Sequence, residues 1–491
     1  MKTKSKSYNI EKLSSTYESK YFKVFQNISK YFKIFLIISI YFYVFQSISL
    51  YSQSDSLNQY LEIAAKNNPS LKAKYNKYLG DLQNVPQVGS LPDLDVSFGY
   101  FIKPMELIGG NQTAQIQVMQ MFPWFGTLSA SRDEASLMAS SAFELFNAEK
   151  QEIFYSVRTN YYQLYLNQKQ MQVYDTTLVL LNSIEQLLLV KMKTINTGNV
   201  SQENKSNDAV QGNKSMGMNA NKQQENKSNN APMNNTGMGG SSSVFADLLR
   251  LQVEIKELED NIASLNNQKR MLTIQINTLL NRNINIEITV SESLQVPEYD
   301  FENPSLIDSL KANNPMIKMN RADIETFKQR QKMNRKMGYP MIGLGMNYSL
   351  INKSEMSTSE MNGNDMIMPM INLKLPIYRK KYKASVKEAE LLENSATDQL
   401  TNTENMLLME LSGYQYALKD AKRGLLLYSE IASLTQKSFD ILLVQYSSSG
   451  ADFDAIIRLH RQLLDYRLNF IEAQVEQLTA IAGFQKLLSK Y

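Results

Sequence analysis

From Thr127 to Thr197 the chain contains neither proline nor glycine, and Leu, Ala, Glu, Gln and Lys recur throughout. This run reads as one helix of about 70 residues, roughly 105 Å long at 1.5 Å per residue. That is far longer than a globular domain is wide, which points to a coiled-coil assembly able to cover the helix along its length. A second long helix is expected from about Arg379 to Tyr446. Shorter helical stretches cover Leu57–Gln83, Val244–Asn281, Leu306–Lys336 and Ala451–Ser489. A short helix of ~38 residues and one of ~28 together match a long one, so two stacked end to end can line it.

The same plan occurs twice. Leu57-Asn58-Gln59-Tyr60-Leu61, ending in Asn67-Asn68-Pro69, matches Leu306-Ile307-Asp308-Ser309-Leu310, ending in Asn313-Asn314-Pro315. Phe122-Pro123-Trp124 matches Leu375-Pro376-Ile377 at an offset of 253, which persists at Tyr161 and Tyr414. Phe245-Ala246-Asp247-Leu248-Leu249-Arg250-Leu251 matches Phe453-Asp454-Ala455-Ile456-Ile457-Arg458-Leu459, but at an offset of 208. The first copy therefore carries 45 extra residues between Tyr161 and Phe245. They are found at 199–243, a stretch rich in Asn, Gly, Ser and Gln with no apolar period. Within it, Gln202-Glu203-Asn204-Lys205-Ser206-Asn207 recurs at 224–229. Too polar to bury a core, this tandem insertion is expected to be disordered. The first repeat then spans 53–290, with a β-hairpin at 93–122, a long helix at 127–197 and a helix at 244–282. The second spans 291–491, with a hairpin at 341–375, a long helix at 379–446 and a helix at 451–489.

The hairpins alternate with period two. Leu94, Val96, Phe98, Tyr100 and Ile102 oppose Asp95, Ser97 and Gly99. Ile116 and Val118 oppose Gln115 and Gln117, and Ile342, Leu344, Met346, Tyr348 and Leu350 oppose Gly343, Gly345, Asn347 and Ser349. In the return strand Ile367, Ile371, Leu373 and Leu375 oppose Met366, Met368, Met370, Asn372 and Lys374. Pieces of about ten residues with one apolar face suit tilted transmembrane strands, and equally a half-buried sheet in water. In a membrane, four strands cannot close a barrel, so several chains would have to contribute.

Composition narrows the chemistry. With no Cys, the chain has no disulfide, lipoprotein anchor, thiolate nucleophile or Cys-based zinc site, and a lone His disfavours a His-based triad. Of the net charge of +4, residues 1–53 hold eight Lys and two acids, a net of +6, leaving the rest at −2. That balance argues against nucleic acid as a partner. The basic start, the apolar run Ile34–Phe45 and the small residues Ser47, Ser49 and Ser52 read as a secretory signal over 1–52, with an uncleaved anchor as the alternative. The apolar run is shorter than the roughly 20 residues a spanning helix needs.

These features together resemble the outer-membrane efflux protein (TolC) family: an export signal, two helix–hairpin–long-helix halves, a Pro after each hairpin and repeated Phe-x-x-x-x-Arg-Leu turns. The resemblance covers about 55–490, is most specific at Gln120-Met121-Phe122-Pro123-Trp124-Phe125-Gly126, and leans toward heavy-metal and multidrug channels of Bacteroidetes-type bacteria. It implies a mainly α fold with membrane β: a homotrimer whose helical hairpins form a periplasmic α-barrel and whose four strands per chain form a twelve-stranded outer-membrane β-barrel. It also implies a periplasmic adaptor and an inner-membrane pump as partners, outer-membrane lipid around the barrel, and no catalysis or cofactor. The 45-residue insertion departs from the family at the first tip turn, where an adaptor would dock.

Two sets of residues are candidates for function. Asp247, Arg250, Asp452, Asp454 and Arg458 lie near the helix tips, where the family's tunnel closes through acidic rings and ion pairs. They read equally as solvated helix faces with acids near helix N-termini. Nine of 25 Met fall between Met333 and Met370. Met366, Met368 and Met370 share one strand face, where thioethers suit transient contact with soft cations such as Cu(I) or Ag(I). The alternative is Met as adaptable apolar filler. His460 is expected to be a surface or packing residue.

The functional expectation is a passive exit duct of a tripartite efflux pump, with copper- or silver-type cations among its substrates. Alternatives are a duct for organic compounds, a non-transport surface coiled-coil protein and, more weakly, a periplasmic adaptor. No acid–base or nucleophile constellation favours an enzyme. Deleting 199–243 should leave folding and oligomer formation intact, because a long polar loop adds little to closure entropy and the second repeat closes with a short turn. Size-exclusion chromatography of the solubilised deletion variant checks this; loss of the wild-type oligomer would make the insertion structural.

Overall fold

The computed structural model of the chain describes residues 56–200, 239–294, 296–297, 303, 305–449 and 452–489. The export signal read at 1–52 and most of the polar insertion lie outside the described residues. Residues 1–62 form one unit, whose described part is the start of a single helix, and 63–491 form the other, which holds the remaining elements.

The elements run α1 (Ser56–Asn67), α2 (Pro69–Val88), β1 (Asp95–Leu107), β2 (Gly110–Phe122), α3 (Thr127–Val200) and α4 (Gly239–Leu279). They continue with α5 (Ser305–Asn313), α6 (Pro315–Met337), β3 (Met341–Asn352), β4 (Met366–Lys374), α7 (Arg379–Ser449) and α8 (Phe453–Leu488). The two long helices have 74 and 71 residues, each over 100 Å at ~1.5 Å per residue. α3 packs against α2 and α4 of its own repeat and α6 and α8 of the other, while α7 packs against α6 and α8. Short helices thus line long ones. α3 and α4 reach further into the polar segment than the apolar pattern alone suggests, to Val200 and from Gly239.

An Asn-Pro pair starts the inner short helix of each repeat, and both pairs work alike. Asn68 Oδ1 accepts from Ser70 N and Leu71 N at 2.9 and 3.2 Å, and its Nδ2 donates to Leu279 O at the end of α4, at 2.9 Å. Asn314 Oδ1 accepts from Met316 N at 2.9 Å, and its Nδ2 donates to Leu487 O near the end of α8, at 3.0 Å. Each side chain therefore caps one helix N-terminus and satisfies a carbonyl left over at another helix's C-terminus. Proline follows at the first helical position, where its missing N–H costs nothing. Both asparagines are buried.

Two apolar clusters hold the helices. One joins Leu306, Leu310 and Ile317 to Leu411 and Leu418 of α7 and Ile481, Phe484 and Leu487 of α8, around the Asn314 cap. The other joins Leu181, Ile184 and Leu188 of α3 to Leu248, Leu251 and Ile255 of α4, Phe439 and Tyr446 of α7, and Phe453 and Ile456 of α8. At the crossing of α7 and α8, a Cβ on Gly483 would lie 2.3 Å from the Tyr414 ring, which fills the space this glycine leaves. The repeat equivalence holds at Leu248 and Ile456, both buried, but fails at Phe245 and Phe453. Phe453 opens α8 and packs on Tyr446, whereas Phe245 lies well inside α4, which starts at Gly239, and is exposed.

The four strands form one antiparallel sheet in the order β1-β2-β3-β4. In register across it, Val96, Val118, Met346 and Pro369 form one row, and Phe98, Ile116, Tyr348 and Ile367 the next. Asn314→Ala should destabilise the helical region by about 2–3 kcal/mol, the sum of a lost cap and an unsatisfied buried carbonyl. Asn314→Asp, which keeps the cap acceptor and loses the donor to Leu487, should cost less. Thermal unfolding of the solubilised protein followed by circular dichroism measures both; an unchanged midpoint in the alanine variant would refute the double role.

Candidate functional site

The sheet has two chemically different faces. The rows through Val96, Phe98, Ile116, Leu344, Ile371 and Leu373 are apolar and open to the surroundings: Phe98 is 68% exposed, Leu344 52% and Ile371 79%. Folding in water would bury such a surface, so it marks contact with an apolar medium or partner. The opposite face carries Ser97, Gln115, Gln117, Asn347, Ser349 and Asn372. Gln112 Nε2 donates to Ser349 Oγ at 3.0 Å, and Ser349 Oγ donates to Asn347 Oδ1 at 3.1 Å. β1 and β4 form the two edges.

Met366, Met368 and Met370 lie on this polar face, paired with Ser349, Asn347 and Gly345. Met119 and Met121, which the clustering of Met in the second hairpin does not point to, join them on the same face, opposite Gly345 and Gly343. A Cβ placed on Gly343 would lie 2.6 Å from Met121 Sδ and 3.3 Å from Met119 Sδ, so both sulfurs lean over this glycine. Continuing the alternation Gln115, Gln117 by two more steps would have found them. Among the described residues, no group of three or more His, Asp or Glu could hold a metal ion.

Where strands pass into helices, Gly126 adopts φ +75°, a left-handed conformation that suits glycine, and its carbonyl accepts from Lys336 Nζ at 3.2 Å. Trp124 stacks on Tyr339 with ring centres 5.3 Å apart. Phe125, Ile377 and Tyr378 protrude alongside.

At the other end of the helices, the candidate tip residues come together. Asp452 caps α8 by accepting from Asp454 N at 3.1 Å. Asp454 bridges Arg250 of α4 at 3.7 Å and Arg458 of its own helix at 3.3 Å, and Arg458 also reaches Asp452 at 4.0 Å. These side chains are about half exposed or more, so water screens each pair. Asp247 differs: burial, and then repulsion from Asp452 and Asp454, holds its carboxyl above the usual range, with Arg250 and Lys191 opposing. Burial and the charge of Asp247 push the Tyr446 hydroxyl up to about 12.

His460 is 3% exposed, packs on Phe439, and its Nδ1 has no hydrogen-bond partner. Burial holds its pKa below the ordinary value, which marks a neutral packing residue. The adjacent Arg461 instead ties α8 to Glu254 and Glu257 of α4.

No family model matches the chain, and no curated protein sequence matches it. Solved structures do. The outer-membrane channel OprN aligns with a TM-score of 0.66 and 13% identity, over 89% of this chain and 90% of its own. The outer membrane protein VceC from Vibrio cholerae aligns with a TM-score of 0.62 and 14% identity, over 88% and 95%. CusC, described in terms of folding and transmembrane channel formation, aligns with a TM-score of 0.65 and 13% identity, over 89% and 92%. The chain has the fold of these outer-membrane channels, the fold that its resemblance to the TolC family implies.

Proposed function

We propose that the chain is the exit duct of a tripartite efflux system, a non-enzymatic homotrimer in the outer membrane with a periplasmic helical extension. The observation that carries this is the sheet: one exposed apolar face, one polar face and two open edges. In hydrocarbon, each unpaired backbone N–H or C=O costs several kcal/mol, so β1 of one copy must pair with β4 of the next until the ring closes. Three copies give twelve strands. The apolar face then meets lipid and the polar face a water-filled passage. The periplasmic partner is an adaptor protein, and an inner-membrane pump supplies the energy.

In this reading Asp247, Arg250, Asp452, Asp454 and Arg458 form the periplasmic gate. Threefold symmetry turns each acid into a ring, and the Arg250–Asp454 contact ties α4 to α8 in the closed state. The Met face of the barrel makes transient contacts to soft monovalent cations. Neutral sulfur exchanges ligands readily, so such contacts pass an ion along rather than trap it. Met119 and Met121 extend the group formed by Met366, Met368 and Met370.

Purified full-length protein should migrate as a heat-modifiable trimer and conduct in planar bilayers. Asp454→Asn, which removes the contacts to Arg250 and Arg458, should raise the open fraction several-fold without changing trimer yield. A monodisperse monomer with intact strands, or a trimer that never conducts, would refute the duct.

The cargo has its own test. Replacing Met366, Met368 and Met370 with Leu preserves size and apolarity, so tolerance of the host strain to copper or silver should fall while trimer yield and tolerance to organic toxins hold. Adding Met119→Leu and Met121→Leu should deepen the loss. If metal tolerance is unchanged, the thioethers are packing, and organic compounds become the substrate class to pursue.

A further inference from the structure

Below the sheet, between the end of α6 and the start of α7, lies a cavity of about 490 Å³. Arg335, Arg379, Lys383 and Lys387 line it, together with Tyr339 and Tyr382. Glu390, also on its wall, pairs with Lys387 at 2.7 Å and neutralises it. Arg335, Arg379 and Lys383 form no ion pair among the described residues. Three uncompensated cations from two different helices thus converge on one hollow. Held together they repel one another, and an anion among them relieves that repulsion. Asn334 Nδ2 donates to Ser385 O at 3.0 Å and fixes the spacing of the two helices beside the cavity.

The surroundings identify the anion. Leu373 and Leu375 carry the apolar side of the sheet to its lower end, and Ile377 and Tyr378, 77% and 84% exposed, continue it to Arg379 on the cavity wall. Tyr339 on that wall stacks on Trp124, beside the exposed Phe125. Amphipathic rings of this kind gather at headgroup depth in membranes. A free anion would use only the cations, whereas a phospholipid would also use the apolar residues beside them. Basic pockets next to membrane-spanning segments hold anionic headgroups in this way.

We propose that this cavity binds the anionic headgroup of a phospholipid in the periplasmic-facing leaflet, with its acyl chains lying against Ile377, Tyr378 and the apolar face of β4. The site rests on the outer-membrane reading of the sheet. Three copies would carry three such sites around the base of the barrel.

The test is lipid binding to the full-length channel in mild detergent, followed by native mass spectrometry with dioleoyl phosphatidylglycerol, dioleoyl phosphatidylcholine or inorganic phosphate. The wild type should prefer phosphatidylglycerol. Each charge removed in R335Q, R379Q and K383Q should weaken that binding about fivefold, and the triple variant correspondingly more, with phosphatidylcholine unaffected. The charge-preserving R335K/R379K pair should retain the preference. If the triple variant fails to assemble, the single variants at these exposed positions carry the same comparison.

Equal binding of phosphatidylglycerol by wild type and variants would overturn the site. Full competition by inorganic phosphate at matched concentration would overturn the lipid assignment. Wild-type single-channel conductance, recorded in parallel, separates these failures from failure of the duct reading, in which no conducting oligomer forms.

Discussion

A backbone hydrogen bond left unmade in hydrocarbon has no water to fall back on. Four strands with an exposed apolar face cannot be a finished object in a membrane, because β1 and β4 each present a row of open donors and acceptors. That constraint ties the rest of the architecture together. In the proposed duct it calls for copies, the copies would place each polar sheet face toward a common axis, and the helices hanging from every strand would then pack as neighbours. Duplication of the helix–hairpin–helix plan serves the same end, since each chain brings two hairpins with matched helical supports.

Much of the fold was legible because its signals are periodic and long. A 71-residue run without Pro or Gly allows little besides helix, and alternation over ten residues fixes which strand face is apolar. The Asn-Pro pairs were visible as a repeat, but their function was not. Nothing in the sequence says that Asn68 and Asn314 reach the carbonyls of Leu279 and Leu487, because that contact joins residues 211 and 173 positions apart. Phe245 and Phe453 mark the converse case: equal in sequence, they differ in burial because one begins its helix and the other does not.

The candidate sites divide in the same way. The tip charges could be named from the repeated Phe-x-x-x-x-Arg-Leu turns, and the helix pairing brings Arg250 to Asp454. The Met face was only half visible. Met366, Met368 and Met370 announce themselves by spacing, while Met119 and Met121 need the Gln115, Gln117 alternation carried on, and it is the register of β2 on β3 that sets them beside Gly345 and Gly343. The cationic cavity was not legible at all, since its walls come from residues separated by a whole hairpin.

The asparagine clasps also set where the helices can move. α4 and α8 are each anchored near their C-terminal ends, where Leu279 and Leu487 accept hydrogen bonds from buried asparagines. At their opposite ends the apolar cluster runs up to Phe453, the first residue of α8, and the ion pairs beside it are screened ones on exposed side chains. With a clasp at one end and a packed core at the other, neither end of α4 or α8 is free to swing, so a change of charge at the tip, such as protonation of Asp247, has to act against buried apolar contacts.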